Sequence, residues 1–173
     1  MASGIATSRR LMKDVKDFTE LEQTQSEKGL EYRFKMELAE VDNLKRMNIY
    51  ISQLTPEKNS AIEIQMTKLG IAHLHLEYTF SDNHPYGPPF VRFITPRFVF
   101  RTGNVTMGGS ICMELLTNQG WSPLNSVEMV LRQIILQLQL GDAVIDEANP
   151  GKAYGLTEAK DAYARMLASH GWK

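Results

Sequence analysis

The chain's single cysteine, Cys112, stands in Met107-Gly-Gly-Ser-Ile-Cys112-Met-Glu-Leu-Leu116, which runs on to Gly120-Trp-Ser-Pro123. A thiolate is the strongest common protein nucleophile, and the glycine pair before it lets backbone approach closely. The plain alternative is a small buried hydrophobe, because free cysteine is among the most buried residue types. A loop between a strand-rich half and a helix-rich half favours the nucleophile, since functional groups concentrate on loops and nearby backbone donors can stabilise a thiolate. Protease-like chemistry needs an imidazole within reach. The candidates are His73, His75, His84 and His170; no spacing favours one, and each reads as a surface or turn histidine. A thiol without a base suits acyl exchange, in which an incoming thioester is already activated and the protein positions the acyl carrier. A cysteine hydrolase using Cys112 and His84 is the rival from another class.

His73, His75 and Glu77 alternate along one strand, which is the placement a metal site would use. Alternation alone puts polar residues on any solvated sheet face, and no second ligand cluster accompanies them, so neither a metal nor a cofactor is expected.

The elements that must carry these residues are legible from their periods. Leu11, Val15, Phe18 and either Leu21 or Glu22 recur at helical spacing from Ser8 to about Gln23, with Thr7 or Ser8 as the cap and residues 1–7 as a flexible lead-in. On the other face Arg9, Arg10, Lys13 and Lys16 form a basic stripe, diluted by Asp14 and Asp17. From Gly29 the period changes to two. Tyr32, Phe34, Met36 and Leu38 alternate with polar residues, as do Met47, Ile49 and Ile51, with Val41-Asp-Asn43 as the turn between them. A short helix over 61–69 precedes Gly70, a third strand carries Ala72, Leu74, Leu76, Tyr78 and Phe80, and a fourth follows Pro88-Pro89 over 90–94. The segment 98–107 has no clean period, and Thr102-Gly-Asn104 marks a turn. Asn125 or Ser126 caps an apolar helix through Val127, Val130, Leu131, Ile134, Ile135 and Leu138 that stops at Gly141. A loop over 142–155 leads to a last helix from Thr157 to Gly171. The order is helix, four-stranded antiparallel meander, cysteine loop, helix, loop, helix, an α+β arrangement.

A length of 173 residues with 43% hydrophobic and 9% aromatic content suits one domain over 1–173 with a sizeable core. A net charge of -1 gives no global pull toward nucleic acid or anionic lipid, and no apolar run approaches a membrane span. A lone cysteine and the want of a secretory h-region point to a reducing compartment, cytoplasmic or nuclear.

His84-Pro-Tyr-Gly-Pro-Pro89, then Phe90-Val-Arg-Phe, Gly109-Ser-Ile-Cys112-Met-Glu-Leu-Leu and Gly120-Trp-Ser-Pro123 resemble, in order and spacing, the core of ubiquitin-conjugating enzymes. Gly108-Gly109, the string ICMELL, the glycine before Trp121 and the ending His170-Gly-Trp172 look like the Q-type branch. The resemblance covers about Ser8 to Trp172. It implies the ubiquitin-conjugating fold, and a Cys112 that accepts ubiquitin as a thioester from an activating enzyme and passes it to a substrate lysine or a ligase thiol. It places Asn104 where typical members carry the asparagine of a His-Pro-Asn motif, with Thr102 and Gly103 in place of histidine and proline. Asn104 then either stabilises an oxyanion or forms the turn. Glu114 takes the place of an acidic residue that orients an amine or is merely solvated, and Asp146 is a weak match to an acidic gate. By the same resemblance Arg9, Arg10, Lys13 and Lys16 dock the activating enzyme, while Tyr86, Ser122, Pro123 and Leu124 contact ligases. The implied partners are ubiquitin, the activating enzyme, a ligase and a protein substrate. A catalytically silent binding variant of the fold is the alternative.

Overall fold

A computed structural model describes residues 2–173, with side chains from Thr7 onward. Helix α1 spans Ala2–Thr24, so it begins well before the expected cap at Thr7 or Ser8; Ala2, Ile5 and Ala6 continue it with no proline to stop it. Backbone 2–7 is therefore helical rather than a lead-in, while Met1 lies outside the described residues. Its apolar stripe buries Val15, Phe18 and Leu21, and the Phe18 ring stacks on Phe34 at 4.7 Å.

Four strands follow, β1 (Arg33–Glu40), β2 (Asn43–Gln53), β3 (Leu74–Thr79) and β4 (Phe90–Thr95), antiparallel in sequence order. The register sets Met36 against Ile49, Ile49 against Leu76 and Leu76 against Phe93, so one apolar row crosses the sheet. Ala72, expected inside the third strand, is exposed and precedes it. Helix α2 (Ala61–Leu69) lies between β2 and β3 and ends at Gly70 in the left-handed region, which glycine adopts without a side-chain penalty. Helix α3 (Val127–Leu140) begins where Ser126 accepts a hydrogen bond from the Met129 amide, and buries the six apolar residues read from the sequence. Each such burial contributes roughly 1.5–3 kcal/mol. Helix α4 (Leu156–His170) buries Ala159, Ala162 and Met166. One hydrophobic cluster runs from Val15 on α1 through the sheet to α3 and Tyr154.

Beyond β4 the chain forms a strap that carries Cys112 back along the sheet. The Phe93 amide donates to the Gly109 carbonyl (2.8 Å), the Ile111 amide to Val91 (3.3 Å), and Arg92 pairs with Ser110. The strap fits tightly under α4. A Cβ at Gly108 would sit 2.2 Å from the Glu158 carbonyl oxygen, and one at Gly109 would strike the Tyr154 ring. Arg97 pins the start of α4 through two 2.8 Å bonds to Glu158 and stacks over Tyr154 at 4.4 Å.

Candidate functional site

Cys112 is half-buried and free, its amide donating to the Asn104 carbonyl at 2.8 Å. It opens onto a groove of about 540 Å³. One wall comes from the 98–107 loop, with Phe100, Arg101 and Met107; the other comes from α4, with Ala162, Arg165, Met166, Ser169 and His170. Those five helix residues follow an i, i+3, i+4, i+7, i+8 stripe, the signal by which the second wall could have been read from sequence. The apolar positions Ala162, Tyr163, Met166 and Leu167 mark the helix in the sequence, but not that Arg165, Ser169 and His170 join Ala162 and Met166 on the groove face.

Burial pushes the Cys112 thiol above its ordinary value, and no cation acts to lower it. The expected thiolate-stabilising surroundings are therefore not found: at neutral pH the sulfur is held largely as the thiol. Tyr163 lies beside it. Its hydroxyl donates to the Leu116 carbonyl at 2.6 Å, and burial first, then the charge of a Cys112 thiolate, push the phenol up. His170 is the imidazole that shares the groove. Its Nδ1 lies 3.0 Å from the Met166 carbonyl and its ring stacks on Trp172 at 4.3 Å.

His84 lies elsewhere, which removes the pairing on which a Cys112–His84 hydrolase depends. Neither a surface nor a plain turn histidine, it is buried, with Nε2 2.7 Å from the Asp14 carboxylate and its ring against Phe80. Burial would raise Asp14, but the bonds from His84 and Arg10 outweigh it and hold the carboxyl below its usual value. The strand residues are likewise engaged. His75 bonds Asn48 at 2.9 Å, Tyr50 packs against both His73 and His75, and Glu77 accepts from Arg92 at 2.9 Å.

Asn104 lines the groove but holds a left-handed φ of 57°, and its side-chain amide donates to Gln137 on α3. Next to it Gly103, also left-handed, abuts Ala143, so the turn is set by packing. Glu114 is exposed at the start of a 3-10 turn, Glu114–Leu116, and does not line the groove. Asp146 also lies outside it, accepting from the Ala148 amide and the Asn149 side chain in its own turn.

On α1, Arg9 is exposed, whereas Arg10, Lys13 and Lys16 pair with Asp14, Asp17 and Glu20 one turn on. Three of the four charges of the stripe are thus paired along its own helix. Tyr86 and Leu124 are 70% and 84% exposed, on two loops joined by the Trp121 indole, which donates to the Pro85 carbonyl at 2.8 Å. Ser122 and Pro123 are half-buried between them, and the Ser122 hydroxyl accepts from the Leu124 amide.

The sequence pattern of the family described as ubiquitin-conjugating enzyme matches residues 10–169. The chain belongs to the ubiquitin-conjugating enzyme family. It is 34% identical over 177 residues to ubiquitin-conjugating enzyme E2 Q1 of Mus musculus and of Homo sapiens, a match that covers 99% of this chain and 40% of each relative. Against ubiquitin-conjugating enzyme E2 25 of Caenorhabditis elegans the identity is also 34%, over 176 residues, 97% of this chain and 43% of that one. The chain thus spans about two-fifths of the length of these relatives. The Q-type features of the cysteine segment and the ending agree with the match to the Q1 enzymes. Among solved structures, the H. polymorpha enzyme Pex4p, in complex with the soluble domain of Pex22p, superposes with a TM-score of 0.59 at 21% identity, covering 96% of this chain and 95% of that one. The human enzyme E2 G1 does so with a TM-score of 0.54 at 23% identity, covering 74% and 90%. At those identities the likeness speaks to the fold, the α+β ubiquitin-conjugating fold expected from the sequence.

Proposed function

We propose that this chain accepts ubiquitin as a thioester on Cys112 from an activating enzyme and transfers it to a substrate lysine or a ligase cysteine. One observation supports this above others: the chain's single thiol opens onto a groove while no base is hydrogen-bonded to it among the described residues. In charging, Cys112 Sγ forms a bond to the ubiquitin carbonyl carbon as the activating enzyme's sulfur leaves, and the proton lost by Cys112 ends on that released thiol. In discharge, an acceptor nitrogen or sulfur takes the carbonyl carbon and Cys112 leaves as the thiol. Because thioester and product amide differ so much in stability, positioning is the main task of the protein.

Arg9, Lys13 and Lys16 are the docking charges for the activating enzyme, with Arg10 holding Asp14. Tyr86 and Leu124 offer exposed anchors to a ligase, supported by Ser122 and Pro123. Asn104 acts by setting the loop through its turn and its bond to Gln137, and its carbonyl fixes the Cys112 backbone. Glu114, exposed and off the groove, carries no step in this reading. A reducing compartment, cytoplasmic or nuclear, suits a free thiol.

Incubation with activating enzyme, ubiquitin and ATP tests this. The expected product is an adduct that dithiothreitol removes, replaced in Cys112→Ser by a reductant-resistant ester and absent in Cys112→Ala. A folded parent chain that forms no adduct would leave only the silent binding variant.

A further inference from the structure

We infer that the groove beside Cys112 receives an acidic acceptor segment, a stretch of protein in which the attacking nucleophile is flanked by carboxylates, and that Arg101 and Arg165 select it. This rests on the acyl-transfer reading of Cys112 and adds the class of acceptor. The two guanidiniums enter the groove from different walls, Arg101 from the 98–107 loop and Arg165 from α4, and no Asp or Glu lines it. Neither stands in a direct ion pair among the described residues, whereas ten of the chain's 19 lysines and arginines do. Of the acids on the flanking segments, Glu158 holds Arg97, Asp146 caps its own turn, Glu114 projects outside the groove, and Asp161, four residues before Arg165 on α4, neither lines the groove nor pairs with that arginine among the described ion pairs. With a net charge of -1 for the chain, the attraction is local to this groove.

The arginines do not serve the sulfur, whose titration is governed by burial. They act on what enters. Phe100, Met107, Ala162 and Met166 supply apolar walls that thin the water around an incoming carboxylate, which strengthens its pairing with a guanidinium. An isolated lysine ammonium meets two like charges there, which disfavours its entry. Carboxylates on its flanks pair with the two guanidiniums and bring it in. Two cations would neutralise only two phosphates, too few for a nucleic-acid track, so an acidic polypeptide fits better than a nucleic acid.

The test uses the full chain and three fluorescent peptides that share one central lysine, flanked by glutamates, glutamines or lysines. Anisotropy of the uncharged protein is expected to show the glutamate peptide binding about threefold to tenfold more tightly than the glutamine peptide. The gap should close in 0.5 M salt. Arg165→Glu, on the exposed face of α4, should shift preference to the lysine peptide. Discharge of the isolated thioester should rank the peptides in the same order. Equal binding of the glutamate and glutamine peptides, a preference unmoved by Arg165→Glu, or tighter binding of an oligonucleotide of matched charge overturns the inference. Preferential binding without any thioester on Cys112 leaves the groove assignment standing and removes the transfer reading; a thioester without the preference does the reverse.

Discussion

At the scale of single residues, the Cys112 thiol is pushed up by burial, so its thiolate fraction near neutrality is smaller than that of a free cysteine. Iodoacetamide should therefore label Cys112 more slowly than a cysteine peptide at pH 7.5, with the rate rising through a midpoint above the ordinary thiol value; a midpoint below that value would contradict the assignment. Gly108 offers a second check. An added methyl would stand 2.2 Å from the Glu158 carbonyl oxygen, a backbone atom of α4 that cannot rotate away. Gly108→Ala should cost roughly 1–3 kcal/mol in a denaturant titration and slow charging by shifting the strap. A variant with parental stability would mean that α4 yields freely. The sequence made Gly108 and Cys112 conspicuous by type and spacing. It concealed the roles of His84 and His170, because the Asp14–His84 bond joins residues 70 apart in sequence and the groove forms only when α4 meets the strap. Neither separation leaves a local period to read.

At the scale of elements, the strands and the two long apolar helices were legible because each has one wet and one dry face, and alternation at two or 3.6 residues follows directly. The start of α1 was not, since alanine and serine before the apolar stripe are compatible with both helix and lead-in. Helix α2 was expected from a short apolar pattern, but its anchor was not visible. Glu63, buried at its first turn, accepts bonds from the Leu54 and Thr55 amides, the Ser60 amide and the Thr55 and Ser60 hydroxyls, thereby joining the end of β2 to α2. Burial alone would raise its carboxyl, yet these bonds together hold it below the usual value. A folded-state value below the unfolded one gives stability that is present above the unfolded value and lost as pH falls through the folded one. Glu63→Gln should lower unfolding free energy by roughly 1–3 kcal/mol at pH 7, with the gap to the parent narrowing below about pH 4.5. A gap that holds constant to pH 3 would show that the charge contributes little.

At the scale of the whole molecule, the proposed docking helix and ligase loops are parts of one continuous structure. Arg10 and buried His84 share the Asp14 carboxylate, which ties α1 to the loop bearing Tyr86, and Trp121 ties that loop to the one bearing Leu124. Charging and ligase-dependent discharge should still separate, because the tips that meet partners are exposed while the links between them are not. Arg10 is unsuitable as a probe of docking alone, since removing it also takes from Asp14 one of its two partners. Arg9→Glu with Lys13→Glu avoids this and should slow charging about tenfold at low salt, less at 0.5 M, with discharge of the isolated thioester unchanged. Tyr86→Ala with Leu124→Ala should do the converse, leaving charging alone and reducing ligase-stimulated discharge by about tenfold or more, as loss of a central aromatic anchor does. Both pairs lie on exposed surface, so each melting temperature should stay within about 2 °C of the parent. If either pair slowed both half-reactions equally at unchanged melting temperature, the two faces would act as a single docking site.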